Sequence, residues 1–207
     1  MTNQEGYQNN AGDVGKYNPD KAKQMLDAAG WKLDGTVRKK DGKALEINFV
    51  IPTGVATSKQ ESELIQNMLG QIGVTVKINA VPSDDFFDKY ITPGQFDFTV
   101  FSWLGTAYPI SSSKSIYAMP KGDDIQQNYA RVGSAELDGL FDKATSEFDE
   151  QKALELGNQI DAEIWKEVHS LTLYQRPEIV ASKNTLANFG AFGFATPPRY
   201  EDIGFAK

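Results

Sequence analysis

The sequence predicts an α/β fold with a mixed, largely parallel sheet flanked by helices. Three observations carry this. Leu45, Ile47, Phe49 and Ile51 alternate with Glu46 and Asn48 before Pro52 and Gly54 break the run, the signature of a strand entering a loop. Leu64, Ile65, Met68, Leu69 and Ile72 then recur at helical spacing up to Gly73. Val74, Val76, Ile78 and Ala80 alternate again. Strand, helix and strand with short connections predict a right-handed crossover and a parallel pair.

Other elements follow in order. Met1 to Gly15 is polar and rich in Gln, Asn and Gly, and reads as a loose lead-in. At Asn18-Pro19-Asp20 a cap and a first-turn proline open a helix with Ala22, Met25, Leu26 and Ala29 on its apolar stripe, closed by Gly30. Gly35 to Gly42 is a polar turn with room for a small hairpin. Ser83 should cap a short helix holding Phe86, Phe87 and Tyr90. Phe96 to Trp103 is nearly unbroken in β-formers and reads as a buried central strand.

From Leu104 to Gly133 no strong periodicity exists, beyond a helical turn or two within Ser111 to Met119. An irregular stretch that long in a compact domain points to function. Ser134 opens a helix with Leu137, Leu140, Phe141, Ala144 and Phe148 facing inward, and Asp149 caps another bearing Leu156, Ile160, Ile164 and Val168. Leu171 to Tyr174 and Ile179 to Ala181 read as strands, and the Gly- and Pro-rich end (Gly190, Gly193, Pro197, Pro198) as irregular.

Composition excludes several classes. The net charge is −7 and no basic face suits a phosphate backbone, so no nucleic-acid partner is expected. No cysteine is present, which removes disulfides and thiolate chemistry. No apolar run approaches the roughly 18 residues that span a bilayer. The one histidine, His169, ends an acidic helix whose partial negative charge favours its protonated form, and one His without Cys is a poor metal set. Ser111-Ser-Ser-Lys114 fits S-x-x-K, but its companion elements are missing. No catalytic residue, metal site or cofactor is expected.

Colinear motifs give a more specific reading. Tyr17-Asn-Pro-Asp-Lys-Ala-Lys…Leu26…Ala29-Gly30-Trp31, Ile65-Gln…Leu69…Ile72-Gly73-Val74, Phe96-Asp97-Phe98 with Trp103, Ser134-Ala-Glu-Leu-Asp138 and Leu173-Tyr174-Gln-Arg-Pro177 stand in this order from Tyr17 to Lys183. The chain resembles the family 5 solute-binding proteins of ABC importers, the dipeptide- and oligopeptide-binding type. The resemblance implies one lobe, C-terminal, of a two-lobed clamp that closes on a peptide or similar small solute and is read by ABC permease subunits. It implies no enzyme activity, an extracytoplasmic setting, and contact with a membrane only through an anchor outside this sequence. Residues 1–16 would be the lead-in, 17–187 the lobe, and 188–207 a tail returning to the first lobe. An interaction or oligomerising domain, or an oligosaccharide receptor of the same family, is the alternative.

Expected ligand contacts are Ser102, Trp103, Gly105, Thr106 and Tyr108, at the C-terminal end of a strand where α/β sheets place ligands; the resemblance implies that Asn128 and Tyr129, matching an Asn-rich position near the cleft in relatives, join them. Many peptide-binding members carry an Asp-Tyr pair after this Trp, whose carboxylate meets the peptide's α-ammonium. Here Thr106-Ala107-Tyr108 stands instead, with no acid nearer than Asp97. Asp123 and Asp124 read as a solvated turn, and Arg176 as a structural clamp.

Overall fold

The computed structural model describes residues 4–193 and 198–206; Pro197 and the first three residues, read above as irregular, lie outside them. Two compact units form, Lys16–Ser102, and Trp103–Lys207 together with the N-terminal Met1–Gly15.

In the Lys16–Ser102 unit, α1 (Pro19–Ala28) opens as expected: Asn18 Oδ1 accepts from the Lys21 amide at 2.9 Å. An antiparallel meander follows, β1 (Lys32–Asp34), β2 (Val37–Lys40) and β3 (Lys43–Ala44), which is the anticipated hairpin region. Asp41 and Gly42 turn between β2 and β3 with φ of 50° and 76°, the left-handed pair a tight hairpin requires.

β4 (Glu46–Pro52), α2 (Ala56–Gly70) and β5 (Thr75–Val81) make the crossover, with β4 and β5 parallel and in register from Glu46↔Thr75 to Pro52↔Val81. Phe49, Ile51 and Val76 are buried beneath Ile65 and Leu69 of α2. Val50, on the other face of β4, is fully buried too. Such a two-sided burial explains why β4 is the most apolar strand.

β6 is only Phe98–Thr99, pairing parallel with Phe49–Val50 in the order β5-β4-β6. The run expected to be the central strand is therefore an edge, and β4 takes the centre. Its aromatic residues serve one-sided packing. Phe98 meets Phe49 edge-on at 6.1 Å, and Phe101 meets Phe87 edge-on at 5.3 Å. Phe86 and Phe87 sit on a π-helical turn, Phe86–Ile91, entered through Ser83–Asp85.

One buried charge organises this unit. Arg38 on β2 is 3% exposed. Its Nε donates to the Ile72 carbonyl at 2.7 Å, and Nη1 donates to the Trp31 carbonyl at 2.7 Å and to Asp27 Oδ1 at 2.8 Å. The guanidinium thus ties the end of α1, the meander and the turn after α2. Asp27 is in turn held below the usual carboxylate range, chiefly by that hydrogen bond. Gly73 (φ 87°) lets the chain pass this close: a Cβ there would stand 2.9 Å from Arg38 Cγ and 2.8 Å from Leu33 Cδ1.

The second unit is helical at its centre. α3 (Pro109–Tyr117), α4 (Ala135–Ser146) and α5 (Glu150–Lys166) bury Leu137, Phe141, Ala144 and Ile160 among Ile110, Tyr117, Leu156 and Ile164. Ser134 and Asp149 cap α4 and α5 as the sequence predicts, each accepting from the amide three residues on at 3.1 Å. α4 stops at Ser146, so Phe148 does not face inward; it is 99% exposed.

The strands expected at Leu171–Tyr174 and Ile179–Ala181 do not form; both stretches are irregular, and Leu171, Leu173 and Ile179 are exposed. β-forming residues supply propensity, not a partner. β7 (Leu186–Ala187) instead pairs antiparallel with β8 (Gly204–Phe205), so the chain end carries a short ladder.

Replacing Arg38 with Leu leaves the Ile72 and Trp31 carbonyls without their donor. Urea unfolding followed by fluorescence of a Trp103→Phe, Trp165→Phe background, in which Trp31 is the remaining tryptophan, should show a loss of about 3 kcal/mol; a loss within error of zero would contradict the role given to Arg38.

Candidate functional site

Trp103, Gly105, Thr106 and Tyr108 lie on an irregular stretch that opens the second unit, and Ser102, exposed, is the last residue of the first. The Trp103 indole stacks on Tyr129, rings 5° from parallel and centroids 6.1 Å apart. Trp103 remains 44% exposed and Tyr108 77%. Large apolar surface held rigidly in the open, with polar tips, is the arrangement that binding surfaces use.

Local hydrogen bonds explain why this stretch is ordered without regular structure. Thr106 Oγ1 donates to Ser112 Oγ at 2.9 Å and accepts from the Tyr108 amide at 3.2 Å. Tyr108 then leads into α3 with Pro109 in the first turn, and its carbonyl accepts from the Ser112 amide and from Ser111 Oγ. Thr106 is therefore a turn-maker at the head of α3, and Tyr108 is the projecting side chain.

Asn128 and Tyr129 have opposite roles. Asn128 is fully buried and its amide is spent inside the protein. Nδ2 donates to the Ala118 carbonyl at 2.8 Å and to the Val132 carbonyl at 2.7 Å, while Oδ1 pairs with His169 Nε2 at 2.9 Å. Asn128, expected among the ligand contacts, is thus enclosed in the protein, with no exposed surface. Its neighbour Tyr129 is the residue that reaches Trp103. Gly133 completes the clamp, because a Cβ there would stand 2.9 Å from Met119 Cα.

His169 also departs from expectation. It lies three residues beyond α5, 9% exposed, with the Tyr117 ring edge-on at 4.7 Å. Burial pushes its pKa down to about 4. Desolvation outweighs the Ile116 backbone group, which favours the charged ring, so the ring is neutral and its Nε2–H donates to Asn128. His169 is a structural group.

Charged residues near this stretch are engaged elsewhere. Lys114 pairs with Asp142 of α4, and Asp138 Oδ1 accepts from the Met119 amide at 2.9 Å. Lys121 and Asp124 exchange backbone hydrogen bonds at 3.1 and 3.2 Å, with Asp124 Oδ1 also accepting from Gln126 N. This is the turn expected of Lys-Gly-Asp-Asp. From Ser102 to Tyr108 there is no carboxylate. Among the described residues, no group of three His, Cys, Asp or Glu gathers to hold a metal ion.

Residues 2–124 match the family described as bacterial extracellular solute-binding proteins, family 5 Middle. The chain belongs to this family. An oligopeptide-binding protein OppA of Mycobacterium tuberculosis is 41% identical over all 207 residues, which are 34% of that protein. A nickel-binding periplasmic protein of Escherichia coli is 26% identical over 91% of this chain and 36% of its own length. The chain therefore spans about a third of the length of the curated relatives it matches. Among solved structures, oligopeptide-binding AppA of Bacillus subtilis in complex with a nonapeptide superposes with a TM-score of 0.72 at 24% identity, over 93% of this chain and 38% of that one. That likeness places the fold with the family 5 receptors. No helix among the described residues is long and apolar enough to cross a membrane.

The family motifs coincide with structural anchor points. Trp31 supplies a carbonyl to Arg38, Gly73 admits that side chain, and Ser134 caps α4. Reasoning from sequence missed the contacts that residues 6–10 make with α5. Gln8 N donates to Asn158 Oδ1 at 2.9 Å, Asn158 Nδ2 donates to the Gly6 carbonyl at 3.0 Å, and the Asn10 amide and side chain both donate to Asp161 Oδ2. The available signal was Gly157 and Asn158, poor helix formers in the middle of α5. Gly157 lies there because Tyr7 and Ile110 press on it; a Cβ would stand 3.0 Å from Tyr7 Cε1.

The pH dependence follows from His169. Its folded pKa, about 4, lies below the unfolded value near 6.5. The unfolded chain thus binds a proton first, and stability is lost as pH falls from about 6.5 toward 4, by about 3 kcal/mol. His169→Gln, which keeps a donor for Asn128, should flatten that part of the stability–pH curve in denaturant titrations. An unchanged slope would contradict a buried neutral His169.

Proposed function

We propose that this chain forms one lobe of an extracytoplasmic receptor that captures a peptide or similar small solute for an ABC importer, with closure by hinge motion against a second lobe. Residues 17–187 would make that lobe and 188–207 would return toward its partner. Ligand capture is then binding alone, and the closed form is what the permease subunits read.

The observation that carries this reading is the exposed Trp103 ring, stacked on a half-buried Tyr129, at the start of an irregular, internally braced stretch. With Tyr108 it offers a ring-bearing, uncharged wall. Ser102, Gly105 and Thr106 would add small groups and backbone polar atoms around it. Family membership supports solute capture as the class of activity.

The ligand chemistry follows from what the wall holds. An α-ammonium buried against uncharged rings without a carboxylate costs several kcal/mol. The stretch from Ser102 to Tyr108 therefore receives an apolar or uncharged portion of the ligand, through ring contacts and backbone hydrogen bonds. Burial between two lobes supplies most of the affinity, so a single lobe binds poorly.

In the two-lobed protein, Trp103→Ala should weaken binding of a mixed tri- to pentapeptide pool by about tenfold or more, measured by calorimetry. The 207-residue chain alone should bind the same pool more weakly than micromolar. Unchanged affinity in the variant, or tight binding by the chain alone, would sink the reading.

A further inference from the structure

The N-terminal segment has a role beyond covering α5. Leu154, Gly157, Asn158 and Asp161 fall at i, i+3, i+4 and i+7, one face of that helix. Gly6, Tyr7, Gln8 and Asn10 seat on this face one after another. Gly6 (φ 83°) rests on Leu154 with no space for a Cβ, Tyr7 fills the notch at Gly157, and Asn158 and Asp161 take the polar groups of Gly6, Gln8 and Asn10. At its start the segment reaches away from the helix: Gln4 Nε2 donates to the Thr106 carbonyl at 3.2 Å.

We propose that residues 4–10 act as a strap and that Gln4 is a positioning residue for the Trp103–Tyr108 stretch, fixing the backbone at Thr106 and through it the placing of Trp103 against Tyr129. Thr106 is the pivot, since its hydroxyl already joins Tyr108 and Ser112. Its carbonyl is gripped by a side chain from outside the turn. The amide orientation is set by this contact, because a flipped Gln4 would aim oxygen at oxygen. Gln4 Oε1 is then buried with no hydrogen-bond partner. An apolar side chain of the same length would remove the orphan oxygen together with the donor to Thr106, so the two effects on stability oppose each other.

The proposal rests on the Trp103 wall being functional, yet its test needs no ligand, so the two fail separately. The chain has three tryptophans, Trp31, Trp103 and Trp165, and 5-fluorotryptophan labelling gives each a 19F resonance assignable by Trp→Phe replacement. Gln4→Met removes the donor and the orphan oxygen together while keeping the side chain's length. The expected result is a Trp103 resonance that moves or broadens beyond its linewidth, an unmoved Trp31 resonance, and a thermal midpoint that does not fall. Asn158→Leu, which frees Gly6 and Gln8 from α5, should move Trp103 in the same direction. A Trp103 resonance coincident with the wild type in Gln4→Met would overturn the strap. So would displacement of Trp31 and Trp103 together with a lowered midpoint, which would mean general loosening.

Discussion

The wall depends on one buried amide. The chain between β6 and α4 holds little regular structure, so its backbone polar groups need partners that a helix or sheet would otherwise provide. Asn128 supplies them at the centre: two donor hydrogens on the Ala118 and Val132 carbonyls and one acceptor on the neutral His169 ring. Both amide hydrogens and the oxygen of Asn128 are engaged, so its side chain is held in one orientation. Because Asn128 is pinned, the next residue, Tyr129, is delivered to Trp103. The buried side chain fixes the backbone, and the half-buried Tyr129 ring supports the exposed Trp103.

The same device recurs in the Lys16–Ser102 unit, where Arg38 does for α1, the meander and the turn after α2 what Asn128 does for the long stretch. In each unit the apolar core is small and close to regular elements, Phe49, Ile51 and Val76 in one and Leu137, Phe141 and Ile160 in the other. Burial of such side chains supplies most of the stabilisation but little direction. Directional hydrogen bonds from two buried polar side chains then select one path for chain segments the cores do not reach.

Much of the fold was legible because periodicity reports burial directly. β4, α2 and β5 followed from alternation and helical spacing, and Asn18, Ser134 and Asp149 from cap chemistry that acts within three residues. What failed required knowledge of distant partners. Phe96 to Trp103 has the composition of a central strand, but composition cannot say that β4 would sit between two neighbours and leave this run at an edge. Leu171 to Tyr174 has β propensity, yet the stretch is irregular. His169 was misjudged because the local rule, a helix end favouring a cation, ignores the desolvation that Tyr117 and Asn128 impose. In the candidate site, aromatic residues at Trp103, Tyr108 and Tyr129 were visible as residue types, whereas the division of labour between Asn128 and Tyr129 was not: adjacent residues in an irregular loop carry no period to assign inside from outside. The family motifs marked the anchor points, Trp31, Gly73 and Ser134, without revealing what each one anchors.

The most direct test of the account is a crystal structure of the two-lobed protein with a peptide bound. The account predicts ligand atoms in van der Waals contact with the rings of both Trp103 and Tyr129, and Asn128 still closed on the Ala118 and Val132 carbonyls with no atom touching the ligand. A peptide seated away from both rings, or an Asn128 side chain swung out to hold it, would contradict the account.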